Sequence, residues 1–159
     1  MNIVIRRAER PDAKLILAMI AELAEYEKAL HEVVASQQDI EYSLFAADSK
    51  SEALICEIDG EAAGYAVFFT SYSTWLGKNG IYLEDLYVSP RFRGHKAGKT
   101  LLRHIARLAV ARNCGRLEWS VLDWNQPAID FYKSLGAVPQ DEWVRYRMEG
   151  KVLTDFAES

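Results

Sequence analysis

The sequence predicts an α+β domain, one mixed and mostly antiparallel sheet with helices on its faces. Three observations predict it. Two strand-like runs, residues 53–58 and 61–70, flank Asp59-Gly60, which suits the tight hairpin turn with positive φ at both central positions. A third run, residues 81–88, ends at Ser89-Pro90 and passes through a basic turn with two glycines into a helix with an apolar stripe. After it, strand and helix alternate, so parallel pairing is expected only around that crossover helix.

In chain order, residues 3–6 form a first short strand. Pro11 suits the first turn of a helix and Asp12 favours the same end through the macrodipole. Ile16, Met19, Ile20 and Leu23 fall on one face, which sets helix one at about 11–26. Residues 29–35 read as a loop. Ser36-Gln37-Gln38-Asp39 has capping-box spacing, with Asp in the place usually taken by Glu or Gln, and opens a second helix ending near Phe45. Residues 47–51 are polar and loop-like, and residues 71–80 form a loop carrying Trp75. The helix after the basic turn runs to about Asn113 with Leu101, Ile105, Leu108 and Ala109 inward. Residues 117–122 form a strand, Pro127 opens a helix that Gly136 closes, residues 143–148 form a last strand, and a short tail starts at Gly150. No repeat or linker interrupts the chain, so residues 1–159 are expected to form a single domain.

Composition narrows the function. The net charge of −4 argues against nucleic acid as a partner, because neutralising phosphates needs a basic face. Cys56 and Cys114 are far apart with no CxxC pattern, which predicts reduced thiols in a reducing, cytoplasmic setting and no zinc site. His31, His95 and His104 have neither metal-ligand nor triad spacing, so no metal is expected. The start lacks the apolar core of a signal peptide, and the longest apolar-rich run, 62–69, is too short to cross a bilayer.

The most informative stretch is residues 82–102. Strand, glycine-bearing turn and helix together aim backbone N–H groups and the positive end of a helix at a phosphate. Such turns are common. Glu84-Asp85 upstream and Pro127 with Phe131-Tyr132 downstream make this one more specific, and mark the centre of a small cofactor-binding enzyme.

Several blocks carry a family likeness: Glu22-Leu23-Ala24-Glu25-Tyr26-Glu27, Trp75-Leu76-Gly77-Lys78, Tyr82-Leu83-Glu84-Asp85, Arg93-Gly94 with Gly98, and Trp124 through Lys133 followed by Gly136-Ala137. On these the chain resembles the GCN5-related N-acetyltransferase (GNAT) superfamily over nearly its whole length. Within it, the chain is similar to the diamine branch that includes spermidine/spermine and thialysine acetyltransferases. The resemblance implies the GNAT fold, acetyl-CoA as cosubstrate and a homodimer. It implies that the turn Arg93-Gly94-His95-Lys96-Ala97-Gly98, running into Lys99, holds the diphosphate, with Lys96 standing where an inner glycine is expected. Because lysine tolerates positive φ poorly, an ordinary turn conformation is expected there. Leu86, Tyr87 and Val88 would pair with the pantetheine arm like an added strand. Asn125, Pro127 and Lys133 belong to the same cofactor-binding set; Asn125 would bond the pantetheine, cap the Pro127 helix, or do both.

Acetyl transfer to an amine needs the amine deprotonated and the departing thiolate protonated. By resemblance Tyr132 is the general acid; the alternative is a helix tyrosine that only packs. Glu84 is the candidate general base, acting through water, against the alternative of a solvated strand carboxylate. Strand alternation puts Glu84 and Asp85 on opposite faces. Tyr26, Glu27, Trp75, Glu84 and Asp85 are the implied amine-site residues; the alternative for Glu27 is a solvent-facing helix end, and Trp75 either offers its face to a cation or only packs its loop. Ser73-Thr74 stand where the diamine enzymes usually have Asp-Pro, which shifts weight toward a shorter amine or a lysine-like amino acid. The expected reaction is direct acetyl transfer from acetyl-CoA to a primary amine of a small cationic metabolite. The alternatives are acetylation of a protein lysine or N-terminus, and a non-catalytic CoA sensor.

Overall fold

Asp59 and Gly60 carry φ of 49° and 84°, the paired positive values of a tight hairpin turn, and the strands on either side zip from there. A computed structural model describes residues 1–159, which divide into two compact units, 1–120 and 121–159. The first holds a five-stranded sheet: β1 (Ile3–Arg7), β2 (Ser51–Ile58), β3 (Glu61–Ser73), β4 (Lys78–Val88) and β5 (Leu117–Trp119). The order follows the sequence, β1-β2-β3-β4-β5, and every pair is antiparallel except β4–β5. That single parallel pair is the one expected around the crossover helix. Residues 71–80 are not a loop: β3 and β4 extend into them, leaving only a turn over 74–77.

Helix α1 (Ala13–Tyr26), entered through a single 3-10 turn at Arg10–Asp12, and α2 (Gln37–Phe45) cover one face. Ala13, Ile16 and Met19 of α1 and Ile40 of α2 pack with Ala53, Ile55, Tyr65 and Tyr87 of the sheet. The capping box read at Ser36 is present: Asp39 N–H donates to Ser36 Oγ at 3.1 Å and Ser36 N–H to Asp39 Oδ2 at 2.8 Å. Helix α3 (Ala97–Ala111) buries Leu101, Leu102, Ile105 and Ala109. The Arg112 guanidinium just past α3 lies over the Phe68 ring of β3 and bonds Glu52 of β2. Arg6 ties β1 to the entry of α1 through Asp12, at 2.8 and 2.9 Å, and also bonds Glu57.

The second unit contains α4 (Gln126–Ser134) and α5 (Gly150–Glu158). The last strand expected at 143–148 is not formed, and the tail expected after Gly150 is a helix. Residues 144–148 alternate apolar and polar, as a strand would, but the segment 143–148 pairs with no other strand of the chain. In α5, Val152, Leu153 and Phe156 share one face at helical spacing, a periodicity that outweighs the leading glycine. Cys56 is buried and Cys114 half-buried, and both are free thiols. No helix is long and apolar enough to cross a membrane.

Two close approaches of backbone need glycine, and Gly64 is the tighter. A Cβ there would sit 2.2 Å from the Tyr87 carbonyl oxygen, with no side chain able to yield. Gly64→Ala is expected to cost about 1–3 kcal/mol, the range for overpacking a core. A urea midpoint that does not move would show that β3 and β4 separate freely at this point.

Candidate active site

The site in the first unit begins with an irregularity of β4. Val67 pairs with Asp85 and Phe68 with Leu83, so Glu84 has no partner on β3 and forms a β-bulge. In a regular strand residues 83 and 85 share a face. Here Leu83 joins buried Phe68 while Asp85 joins Val67, which packs against the α1–α2 core. Leu83 and Asp85 therefore fall on different faces, because alternation fails at a bulge, and Glu84 between them is exposed. The Glu84 charge is close enough to raise the Asp85 pKa.

Asp85 is largely withdrawn from water and accepts a hydrogen bond from the Tyr65 hydroxyl at 2.8 Å. Burial pushes its carboxyl up, the Tyr65 bond opposes that shift, and Glu84 adds to it. Glu27, at the end of α1, is likewise pushed up by burial and by Asp85. Tyr65 is fully buried, and its phenol is pushed up by burial first and by Asp85 next. Glu27, Glu84 and Asp85 thus form one acidic group, the part of the expected amine site that the fold brings together.

Beside it, the Tyr87 hydroxyl donates to Glu22 Oε1 at 3.0 Å. Arg93 lies over the rings of Tyr26 and Tyr87, at 5.2 and 6.0 Å from their centroids, and its Nε donates to the Val88 carbonyl at 3.2 Å. Tyr26, expected among the amine-site residues, is thereby joined to the first residue of the basic turn. Trp75 is elsewhere, exposed in the turn between β3 and β4. The run from Lys78 to Glu84 alone puts it about 20 Å along the strand from the bulge.

β4 pairs with β5 only at Ile81, Tyr82 and Leu83. From the bulge through Leu86, Tyr87 and Val88 its second edge is not covered by β5, which leaves backbone groups available for an added strand. The chain then passes through a 3-10 turn, Pro90–Phe92, into Gly94 at φ +87° and Lys96 at φ +64°, ψ 16°. Lys96 thus adopts the left-handed conformation that a glycine would, which corrects the expected ordinary turn. The side chain of Lys96 stays exposed and clear of the fold, so the strain is confined to the backbone, of order 1–2 kcal/mol. Left-handed residues followed by the first N–H groups of α3, at Ala97, Gly98 and Lys99, make an anion-binding concavity at a helix N-terminus. His95 and Lys99 are exposed beside it. These residues fit a diphosphate, and a thioester cosubstrate would lay its arm along the open edge of β4.

In the second unit, Asn125 caps α4, its Oδ1 accepting from the Ala128 N–H at 3.4 Å, and Pro127 lies in the first turn. Tyr132 and Lys133 stand near the end of the same helix, with the Tyr132 ring 5.7 Å from that of Phe131. Tyr65 and Glu22 were missing from the expected site. The signal for Tyr65 was in the sequence: a phenol inside the apolar run 62–69 must bring its hydroxyl to a partner. Glu22 lay within a matched block but carried no cue to its bond with Tyr87.

Two outcomes follow from this geometry. Lys96→Gly removes the left-handed strain and is expected to leave stability unchanged or raise it by up to about 1 kcal/mol in urea unfolding; a clear loss would mean the lysine side chain holds the turn. Asp85 has a raised folded-state pKa, so its contribution to stability is present below the ordinary carboxylate range and lost as pH rises through the raised value. Asp85→Asn should therefore raise the melting temperature at pH 8 relative to the parent more than at pH 4, and an equal change at both pH values would contradict the assigned ionisation.

The family model described as "Acetyltransferase (GNAT) family" matches residues 17–137. Thialysine N-epsilon-acetyltransferase of Sus scrofa is 38% identical over 167 aligned residues, covering 98% of each chain. The Bos taurus protein of the same name is 39% identical, covering 98% of this chain and 97% of its own. Among solved structures, an integron cassette protein from the mobile metagenome of V. cholerae superposes with a TM-score of 0.83 at 29% identity, covering 100% of this chain and 99% of that one. The bulged and splayed β4, the turn into α3 and these matches agree: the chain belongs to the GNAT acetyltransferase family, within its diamine acetyltransferase-like branch.

Proposed function

We propose that this acetyl-CoA-dependent N-acetyltransferase acts on the primary amine of a small, lysine-like cationic metabolite. The observation that carries the reading is the acidic group of Glu27, Glu84 and Asp85 at the bulge of β4, next to an open strand edge that leads into an anion-binding turn. The relatives named for thialysine acetylation support the lysine-like substrate.

In the proposed reaction the cosubstrate is held by Arg93 through Lys99, by the backbone of Leu86 to Val88, and by Asn125, Pro127 and Lys133. Tyr26, Glu27 and Asp85 receive the cationic amine, and Trp75, out in the β3–β4 turn, is assigned no contact with it. Glu84, through water, takes the proton from the ammonium, and the freed nitrogen attacks the thioester carbonyl. The carbon–nitrogen bond forms, the carbon–sulfur bond breaks, and Tyr132 gives the departing thiolate its proton. Transfer is direct. Neither free cysteine lies in a matched block, so neither is assigned an acyl-carrier role.

The whole chain is taken as one GNAT domain, because the family match runs from the first compact unit into the second and a relative aligns over 98% of the chain. We also propose a cytoplasmic homodimer. Unpaired thiols suit a reducing compartment. Val144, Tyr146, Met148, Val152, Leu153 and Phe156 stand exposed on a short second unit, apolar surface that a second copy would cover.

An amine panel with acetyl-CoA, read by thiol release, tests the function. Turnover on lysine-like amines and diamines, with little on peptides, is expected; preference for peptides would favour protein acetylation, and CoA binding without turnover would favour a sensor. Tyr132→Phe should lower kcat by about 100-fold or more while CoA affinity changes little. An unchanged rate would remove Tyr132 from the chemistry.

A further inference from the structure

We propose that Tyr65 is a positioning residue for the amine: its hydroxyl fixes the Asp85 carboxylate through Oδ2, so that Oδ1 is aimed at the cationic substrate. The inference rests on the amine site proposed above and adds a residue outside it. Tyr65 is fully buried and its hydroxyl has one hydrogen-bond acceptor, Asp85 Oδ2, at 2.8 Å. Its ring is held between Ile55 of β2 and Tyr87 of β4, 6.3 Å from the latter. The hydroxyl therefore has a fixed direction, set by packing rather than by solvent.

Asp85 needs such a donor because the charged groups coupled to it, Glu84 and Glu27, are both unfavourable to an anion. Glu27 comes from the end of α1 and Glu84 from β4 itself; Tyr87 is turned to Glu22, and Arg93 lies over Tyr87 and Tyr26. Tyr65 is the donor that opposes the upward shift which burial and Glu84 impose on Asp85. With the hydroxyl in place a cation meets an oriented carboxylate. Without it the carboxylate turns freely and takes up a proton at higher pH, and the charge that selects the amine is lost.

Steady-state kinetics of Tyr65→Phe, Asp85→Asn and the double variant test this, with the amine preferred by the parent enzyme. Tyr65→Phe should raise the amine KM about ten- to a hundredfold at neutral pH, the scale of a hydrogen bond to a charged group. The KM for acetyl-CoA and kcat should stay within about threefold of the parent on the same scale. The acid limb of kcat/KM for the amine should move to higher pH. In the Asp85→Asn background, the same Tyr65 change should have no further effect on the amine KM. An unmoved amine KM and acid limb in Tyr65→Phe would overturn the positioning role. An equal loss in both substrates, or a further loss in the Asp85→Asn background, would make Tyr65 merely structural. No turnover by the parent enzyme, or an Asp85→Asn variant with parental amine KM, would instead defeat the amine-site reading beneath it.

Discussion

One extra residue in β4 organises the site. Because Glu84 has no partner on β3, the strand changes faces between Leu83 and Asp85. Leu83 remains on the sheet face that buries Phe68, while Asp85 turns to the face packed by α1 and α2. The pairing with β5 ends at Leu83, immediately before the bulge, so the second edge of β4 opens where its twist increases. A single backbone irregularity thus exposes a carboxylate, draws its neighbour partly out of water and coincides with the end of the pairing to β5. Removing it would restore regular alternation and scatter these features over two faces.

The turn that follows makes a second backbone demand, and the fold meets it with an unusual residue. Gly94 and Lys96 both have positive φ, and α3 starts directly after Lys96. Only the backbone is needed to form the concavity, so the position tolerates a side chain that stays in solvent and adds positive charge. Arg93 then links this turn to the proposed amine side of the unit, since its guanidinium lies over Tyr26 from α1 and Tyr87 from β4. An anion in the turn and a cation near Tyr26 would both alter the environment of that one arginine. Coupling between the two proposed substrate sites therefore has a short physical route.

Much of this was legible in the residues, for reasons that differ by element. The Asp59-Gly60 hairpin and the Ser36–Asp39 capping box depend on contacts only two or three residues apart, and both formed as read. Helical spacing alone placed Leu101, Ile105 and Ala109 of α3 inward, whereas Leu108 is half-buried and buried Leu102 was not foreseen. The bulge was not legible, because it is a property of register between two strands: Glu84-Asp85 looks like any strand dipeptide until Val67 and Phe68 choose their partners. The conformation of Lys96 was misread for a similar reason, since propensity disfavours lysine at positive φ and the tertiary turn overrides it. At 144–148 the alternation was real and the sheet pairing was not, because period 2 records a strand's readiness to pair but not the presence of a partner.

The placement of acidic charge bears on which amine fits. Glu27, Glu84 and Asp85 gather around the bulge, whereas the β3–β4 turn, about 20 Å along the strand, carries Ser73, Thr74, Trp75 and Lys78 and no carboxylate. A long polycation lowers its free energy by meeting negative charge at intervals along its length, and this unit offers it at one end only. The half-buried carboxylates of Glu27 and Asp85, with raised pKa values, also destabilise the fold when they ionise, and a cation bound against them relieves that cost. The relief is greatest for a compact substrate that brings its charge within a few ångströms of all three groups, because Coulomb attraction falls with distance and is screened in water beyond about 10 Å. Both considerations favour a short amine with its cationic centres close together over an extended polyamine.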